Sequence, residues 1–298
     1  MTRITTNGGP GSRRRAPWGA ALWGTALLLA GAAAPASAQL TAASEGPVVY
    51  GHHHLNVTDA AAHKRFWADT LGGTPTPFGQ SEIYKFPNVL VFAREGEPTG
   101  GTKGSTVNHL GFWVPSVRTA LSKVRAAGFP IVTRQELPPS MSVIDDMAYI
   151  ENQDTYVAFV MGPDDVKVEL VENREQEEPI ALHHIHFDAN DVDAMKAWYV
   201  DMLGADPGMR GSFQAADLPG VNLTWSPSSA ELAGTRGRSL DHIGFEVDGL
   251  EAFCEKLEAQ GVTFDRPYQV LDQLGIAIAF FTDPFGTYVE LTEGLDKY

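Results

Sequence analysis

The chain has 298 residues, of which 43% are hydrophobic and 20% are charged, and this composition excludes a disordered or collagen-like protein. Its 22 basic and 37 acidic residues give a formal net charge of −15, which disfavours binding to nucleic acid or to anionic lipid. The single cysteine, Cys254, excludes an intramolecular disulfide and a cysteine-based zinc cluster. A metal in this protein would therefore be bound by histidine and carboxylate ligands.

Residues 1–38 are interpreted as an export signal. Three arginines at 13–15 precede an apolar run over 18–33, and Ala-Ser-Ala at 36–38 is a small-x-small cleavage pattern. Ser-Arg-Arg at 12–14 also resembles a twin-arginine motif, which leaves both the twin-arginine and the general secretion route open. The mature protein is expected to be exported, either periplasmic or secreted, and to have no membrane anchor.

The sequence after the export signal contains an internal repeat. The segment that begins at His52 returns at His184, and the segment that begins at His109 returns at His242. A Val-Glu-Leu triplet closes each half of the repeat. We infer two tandem domains, 48–174 and 180–296, joined by a charged linker.

Each domain is itself predicted to contain two similar modules. Every module opens with a short His-led strand, continues with an amphipathic helix that a glycine ends, and finishes with several strands. This order predicts an α+β fold, with curled, antiparallel-rich mixed sheets around a cleft. The helix containing Cys254 places that thiol at a core position rather than at a reactive one.

Six residues of metal-ligand type recur at matching places in the two halves. The expected sets are His52, His109 and Glu169 in the first domain, and His184, His242 and Glu290 in the second. Two neutral imidazoles and one carboxylate suit Fe(II), Mn(II) or Zn(II), and they leave coordination positions open for a substrate. Any one of these residues alone would more commonly be a surface or capping residue, so the argument depends on their recurrence.

Side chains two positions apart on a strand share a face, so the neighbours of the ligands are candidates to line the cleft. Four of them are candidate acid–base groups, although a structural hydrogen bond explains each equally well: His54, Lys167, His186 and Tyr288. Gly111 and Gly244 are expected to leave room for a substrate beside the metal.

The arrangement of these residues resembles that of the vicinal oxygen chelate (VOC) superfamily, which includes glyoxalases, bleomycin resistance proteins and extradiol dioxygenases. The resemblance is carried by the four His-led strands, by Leu-Gly at 71–72 and 203–204, and by Asp-Pro-Phe-Gly at 283–286. It covers about residues 50–293 and implies two tandem domains of paired βαβββ modules around a divalent metal. The two triads would bind the metal, which chelates vicinal oxygens of a small-molecule substrate as a Lewis acid or an oxygen activator.

The resemblance implies an enzyme, and the departures from the family pattern bear on its reaction. Glyoxalases usually carry a fourth ligand where this chain has Val-Leu-Val-Phe at 89–92 and Val-Asn-Leu-Thr at 221–224. The two-His, one-Glu triad and the two-domain length favour an extradiol-type dioxygenase with Fe(II) or Mn(II), although Phe280 stands where such enzymes usually carry tyrosine. Two alternatives stay open: a glyoxalase-like lyase or isomerase with Zn(II) or Ni(II), and a non-catalytic protein that binds a small molecule or metal. The protein is expected to be a monomer or a homo-oligomer.

Overall fold

The computed structural model describes residues 40–298, and the predicted export signal at 1–38 lies outside them. Among the described residues, none of the helices has the length and apolar character needed to cross a membrane.

The described residues form sixteen strands in four successive modules, each with a strand, helical structure and three further strands. The first module consists of β1 (Val48–Val57), α1 (Ala60–Lys64) with a π-helical continuation over Arg65–Thr70, β2 (Thr74–Phe78), β3 (Ser81–Phe86) and β4 (Val89–Glu95). The second consists of β5 (Val107–Val114), α2 (Val117–Ala126), α3 (Thr133–Glu136), β6 (Ala148–Ile150), β7 (Thr155–Met161) and β8 (Lys167–Glu172). The third consists of β9 (Ala181–Ala189), α4 (Val192–Leu203), β10 (Asp206–Arg210), β11 (Phe213–Leu218) and β12 (Val221–Pro227). The fourth consists of β13 (Leu240–Val247), α5 (Leu250–Ala259), β14 (Phe264–Leu271), β15 (Ile276–Thr282) and β16 (Tyr288–Glu293).

Local signals in the sequence explain where the helices begin and end. The Asp191 side chain accepts from the Ala194 amide at 3.0 Å and caps the first turn of α4. Gly204 ends the same helix in the left-handed region, with φ of 77°. Cys254 is buried in α5 against the core, as the amphipathic pattern predicted.

The four modules assemble into two eight-stranded mixed sheets. The first sheet has the order β14-β15-β16-β13-β1-β4-β3-β2 and joins the fourth module to the first. The second has the order β10-β11-β12-β9-β5-β8-β7-β6 and joins the third module to the second. The α+β fold with curled mixed sheets is therefore confirmed.

The sheets do not follow the expected division into domains at 48–174 and 180–296. Each sheet instead takes one module from either side of that boundary, because β1 pairs antiparallel with β13 and β5 pairs antiparallel with β9. The repeat makes the first module equivalent to the third and the second equivalent to the fourth. The sequence pattern is therefore the same whether the first module pairs with the second or with the fourth. In the structure the first module pairs with the fourth, and the second pairs with the third.

One hydrophobic cluster extends across both sheets and contains their largest buried side chains, among them Tyr50, Trp67, Phe112, Tyr199 and Trp225. In each sheet the two modules meet at an antiparallel pair of strands, β1 with β13 or β5 with β9, which we call the seam. Because side chains alternate along a strand, each seam strand has one face in the core and one face away from it. On β1, Leu55 packs in this cluster, whereas His52 and His54 line a cavity on the opposite face. The strand periodicity therefore places the candidate ligands away from the shared core.

Candidate metal centres

The structure gathers the six predicted ligands into two clusters of side chains. The first triad is His52 on β1, His242 on β13 and Glu290 on β16. The second triad is His109 on β5, Glu169 on β8 and His184 on β9, with His186 beside it. The sequence predicted His52 with His109 and Glu169, and His184 with His242 and Glu290. In the structure His52 and His184 belong to the opposite triads, because the first module pairs with the fourth and the second with the third.

The first triad has the donor arrangement of a metal site. The Nε2 atoms of His52 and His242 lie 2.8 and 2.9 Å from Oε2 of Glu290. All three residues are buried, and the most exposed of them, Glu290, has 8% of its surface accessible to solvent. Ligands about 2.1 Å from a metal and at right angles lie about 3 Å apart, so each imidazole nitrogen lies at a suitable distance from Glu290 to share one divalent cation with it. The ligand atoms of the three residues all lie within 4.8 Å of one another.

A carboxylate orients one imidazole of the first triad. His242 Nδ1 donates to Asp241 Oδ1 at 2.6 Å, which leaves Nε2 facing Glu290. Burial alone would raise the pKa of Asp241, but hydrogen bonds from His242, the Gly237 amide and Asn56 lower it to about 2. Burial also opposes a charge on His242, yet Asp241 and Glu290 together raise the pKa of that imidazole above its usual value.

Gly111 and Gly244 serve the imidazoles rather than a substrate, which corrects the expectation from the sequence. A Cβ atom on Gly244 would lie 2.0 Å from Cε1 of His52, and one on Gly111 would lie 2.0 Å from Cε1 of His184. The register across each seam is the reason, since Gly244 pairs with His52 and Gly111 pairs with His184.

The second triad has similar internal distances. Oε2 of Glu169 lies 3.0 Å from Nε2 of both His109 and His184, and the two Nε2 atoms are 3.3 Å apart. Asn108 accepts from His109 Nδ1 at 2.9 Å, where the first triad has an aspartate.

Sequence reasoning missed Arg210, which contacts the second triad. Its Nη2 atom lies 3.2 Å from Nε2 of His184 and 3.9 Å from Oε2 of Glu169. Arg210 is the last residue of β10, and Phe78 is the last residue of the equivalent strand β2, 132 positions earlier. Comparing the two copies of the repeat at this position would have shown the difference.

His54 and Tyr288 both lie beside the first triad. The His54 ring is 4.5 Å from that of His242, and its Nε2 has no hydrogen-bond partner among the described residues. Burial, followed by the neighbouring His242, lowers the pKa of His54 well below its usual value, so the ring is neutral at pH 7. The Tyr288 ring is 5.6 Å from His242, and the Arg236 guanidinium lies 4.6 Å above it.

His186 and Lys167 lie beside the second triad, and each has a polar partner. The His186 ring stacks 4.5 Å from His109, and its Nε2 is 2.7 Å from the Ser226 hydroxyl. The buried Lys167 ammonium donates to Glu136 at 2.7 Å. These contacts match the structural hydrogen bonds that the sequence left open for both residues.

A cavity of about 980 Å³ opens beside the first triad. The triad and His54 line it together with an aromatic wall of Phe78, Phe92, Phe280 and Tyr288. A second cavity, of about 510 Å³, is lined by Arg210 and His183, and none of its lining residues belongs to the second triad. The first triad therefore lies at the wall of a cavity with space for a small molecule.

The chain therefore combines paired βαβββ modules with a candidate two-His, one-Glu metal site in each sheet. The family model of the Glyoxalase/Bleomycin resistance protein/Dioxygenase superfamily matches residues 141–291. The chain belongs to this superfamily, which confirms the resemblance seen in its sequence.

The chain is also similar to a curated protein in sequence and to solved structures in fold. Over 92 residues the chain is 32% identical to a lactoylglutathione lyase of Pseudomonas aeruginosa, covering 30% of this chain and 51% of that protein. The chain thus spans about half the length of the curated relative that it matches. Glyoxalase I from Zea mays has the same fold, with a TM-score of 0.65 and 16% identity over 84% of this chain and 94% of that chain. A Bacillus subtilis protein named as a candidate dioxygenase has a TM-score of 0.60 and 14% identity over 82% of this chain and 84% of that chain.

Proposed function

We propose that this protein is a divalent-metal-dependent enzyme for a small oxygen-rich substrate, and that the first triad is its active site. The observation that carries the proposal is the convergence of His52, His242 and Glu290 at the wall of the 980 Å³ cavity. The metal, when bound there, would chelate neighbouring substrate oxygens and supply Lewis-acid or oxygen-activating chemistry.

The number of protein ligands favours a reaction of the extradiol dioxygenase type. Glu290 lies opposite Gly244 on the parallel neighbour of β13, and Phe92 lies opposite His54 on the parallel neighbour of β1. Glu290 and Phe92 therefore occupy equivalent positions in the two modules of this sheet. The position that would supply a fourth ligand has the phenyl ring of Phe92. Two histidines and one carboxylate with open positions are typical of non-haem Fe(II) oxygenases.

His54 is the candidate proton acceptor in this proposal. Its ring is neutral, it stacks on Phe92 with centroids 5.6 Å apart, and its Nε2 has no partner among the described residues. It would take the proton from a substrate hydroxyl as the substrate binds. Tyr288, whose ring is 5.6 Å from that of His242 and lines the same cavity, would orient the substrate through its hydroxyl group.

Oxygen uptake tests the proposed reaction. We expect the Fe(II)-loaded protein to consume oxygen with catechols, and H54Q to lower turnover by about 10²- to 10⁴-fold with its metal retained. The control variant is H183Q. His183 does not line the cavity beside the first triad, and its ring stacks on Trp113 with centroids 4.3 Å apart. A metal-loaded protein that consumes no oxygen with any catechol would contradict the dioxygenase assignment.

A lyase or isomerase reaction is the second candidate, because the curated relative with 32% identity is a lactoylglutathione lyase. In that case the Zn(II)- or Ni(II)-loaded protein would form lactoylglutathione from the adduct of glutathione and methylglyoxal, with no change in dissolved oxygen. Binding of small molecules without turnover in either assay would instead support the non-catalytic alternative.

We also propose that residues 1–38 direct export. The proposal is supported by the arginines at 13–15, the apolar run and the Ala-Ser-Ala pattern. Cell fractionation should find the chain outside the cytoplasm, cleaved after Ala38. A double R13K/R14K substitution should block the twin-arginine route and leave general secretion unaffected.

A further inference from the structure

We infer that the Arg210 guanidinium occupies the open side of the second triad and excludes a metal from it, so that each chain binds one metal ion, at the first triad. This inference goes beyond the proposed function, because it concerns the triad that the reaction does not use.

The contacts of Arg210 place its positive charge at the donor atoms. Nη2 lies 3.2 Å from Nε2 of His184, the nitrogen that faces Glu169. Nε donates to the Thr224 hydroxyl at 2.9 Å, which fixes the guanidinium in this orientation. The Arg210 side chain is 11% exposed, so water screens its charge poorly.

Charge balance at the second triad disfavours a divalent cation. The Glu169 carboxylate already faces one guanidinium charge, and a lone pair of His184 that accepts from Arg210 is not free for a metal. The nearby Lys167 donates to Glu136, so this ion pair adds no net negative charge that would attract a cation.

The same structural positions are neutral at the first triad. Phe78 stands where the repeat places Arg210, and Phe92 stands where it places Thr224. These two rings contact each other with centroids 5.0 Å apart and line the cavity. Although arginines also line this cavity, no arginine among the described residues lies within 4.0 Å of the Glu290 carboxylate.

The environment of the imidazoles differs in the same direction. The first triad has a second carboxylate, Asp241, on the far side of His242, whereas the second has the neutral Asn108 beside His109. Two carboxylates therefore compensate a divalent cation at the first triad. At the second, Glu169 is already paired with Arg210, and the Asp188 carboxylate contacts Asn108 rather than an imidazole.

Metal content of the purified protein tests the inference. We expect the wild-type protein, loaded with Fe(II) or Zn(II) and passed through a desalting column, to retain one equivalent per chain by elemental mass spectrometry. R210M and the double variant R210F/T224F should retain two. The control K196M removes a cation that contacts Gly208 and Gln214 elsewhere on the β10–β11 hairpin, and it should retain one.

Two equivalents in the wild-type protein, or one in both Arg210 variants, would overturn the inference. If the Arg210 variants do not fold, F78R decides the question, because an arginine at the matching position should reduce metal content from one equivalent to none. Retention of a full equivalent by folded F78R would overturn the inference. Failure of the wild-type protein to bind any metal would instead contradict the proposed function.

Discussion

His242 can bind a metal through Nε2 only when that atom carries no proton, and the carboxylates of Asp241 and Glu290 beside it favour the protonated ring. Their combined effect raises the pKa of His242, even though burial opposes the charge. A metal must therefore displace a proton at any pH below that pKa. Metal affinity should rise with pH through the neutral range and level off once His242 is deprotonated.

The substitution D241N tests this coupling between metal binding and the protonation of His242. It introduces asparagine, the residue that the second triad has at the equivalent position, Asn108. It removes the charge that stabilises protonated His242 and also weakens the orientation of the ring. We expect metal affinity at pH 8 to fall by about 10- to 100-fold. The pH at which affinity levels off should move down, because the pKa of His242 is no longer raised by Asp241. A chelator-competition titration between pH 5.5 and 8.5 measures both effects, and an unchanged levelling pH would contradict the coupling.

The residues of the two triads could be predicted from the sequence one by one, but the contact of Arg210 with the second triad could not. His52, His109, His184, His242 and both glutamates stand out because each recurs in the repeat. Arg210 has no counterpart of its own type, since its repeat partner is Phe78. Its position next to His184 depends on the pairing of β10 with β11 and of β12 with β9, which are contacts that a motif does not encode.

At the scale of strands, the antiparallel seams decide which histidines meet. Across the first seam His52 pairs with Gly244, and its ring occupies the space above that glycine. The second seam has the same arrangement with His184 and Gly111. The glycines are required by this close approach between strands, which is a packing requirement rather than a conformational one.

A matched pair of alanine substitutions tests the seam. In G244A the new methyl group would overlap His52 and displace a ligand, so we expect the bound metal to fall from one equivalent to less than about 0.2. In G111A the same overlap displaces His184, and metal content should stay at one equivalent. Elemental analysis of both variants, with circular dichroism to confirm folding, is the measurement. Equal metal content in the two variants would contradict the assignment of the metal to the first seam.

The pairing of modules could not be derived from the sequence pattern. The repeat specifies four His-led strands, and pairing either β1 or β9 with β5 or β13 brings two histidines together with one glutamate. The contiguous domains expected at 48–174 and 180–296 satisfy that pattern as well as the observed pairing does. What distinguishes them is the spatial course of the chain, which hydrophobic periodicity does not report.

For the whole molecule, this pairing places the proposed metal site between the first and the last module. His52 and Glu290 are 238 residues apart in the chain, yet they meet in one cluster. A metal at this position links the two ends of the described fold, and its binding free energy adds to the stability of the folded state.

Removal of the metal should therefore lower the thermal unfolding midpoint. At a metal concentration about 1,000 times the dissociation constant, binding contributes about 4 kcal/mol. For a chain of this size that corresponds to a shift of roughly 10 °C on addition of a chelator, measured by calorimetry. Addition of the chelator should cause the same shift in E169Q, which keeps the first triad intact. It should cause no shift in E290Q, which lacks the carboxylate of the first triad. A chelator effect that disappears in E169Q instead would assign the stabilising metal to the second triad.

The metal content of four single-histidine variants shows which histidines bind one metal together. H52A and H242A should lose the bound metal, whereas H109A and H184A should each retain one equivalent, because the first triad unites the two ends of the chain. If His52 belonged instead with His109, and His184 with His242, then H52A and H109A would behave alike and H184A would behave like H242A. That second result, in variants whose circular dichroism shows that they are folded, would contradict the account.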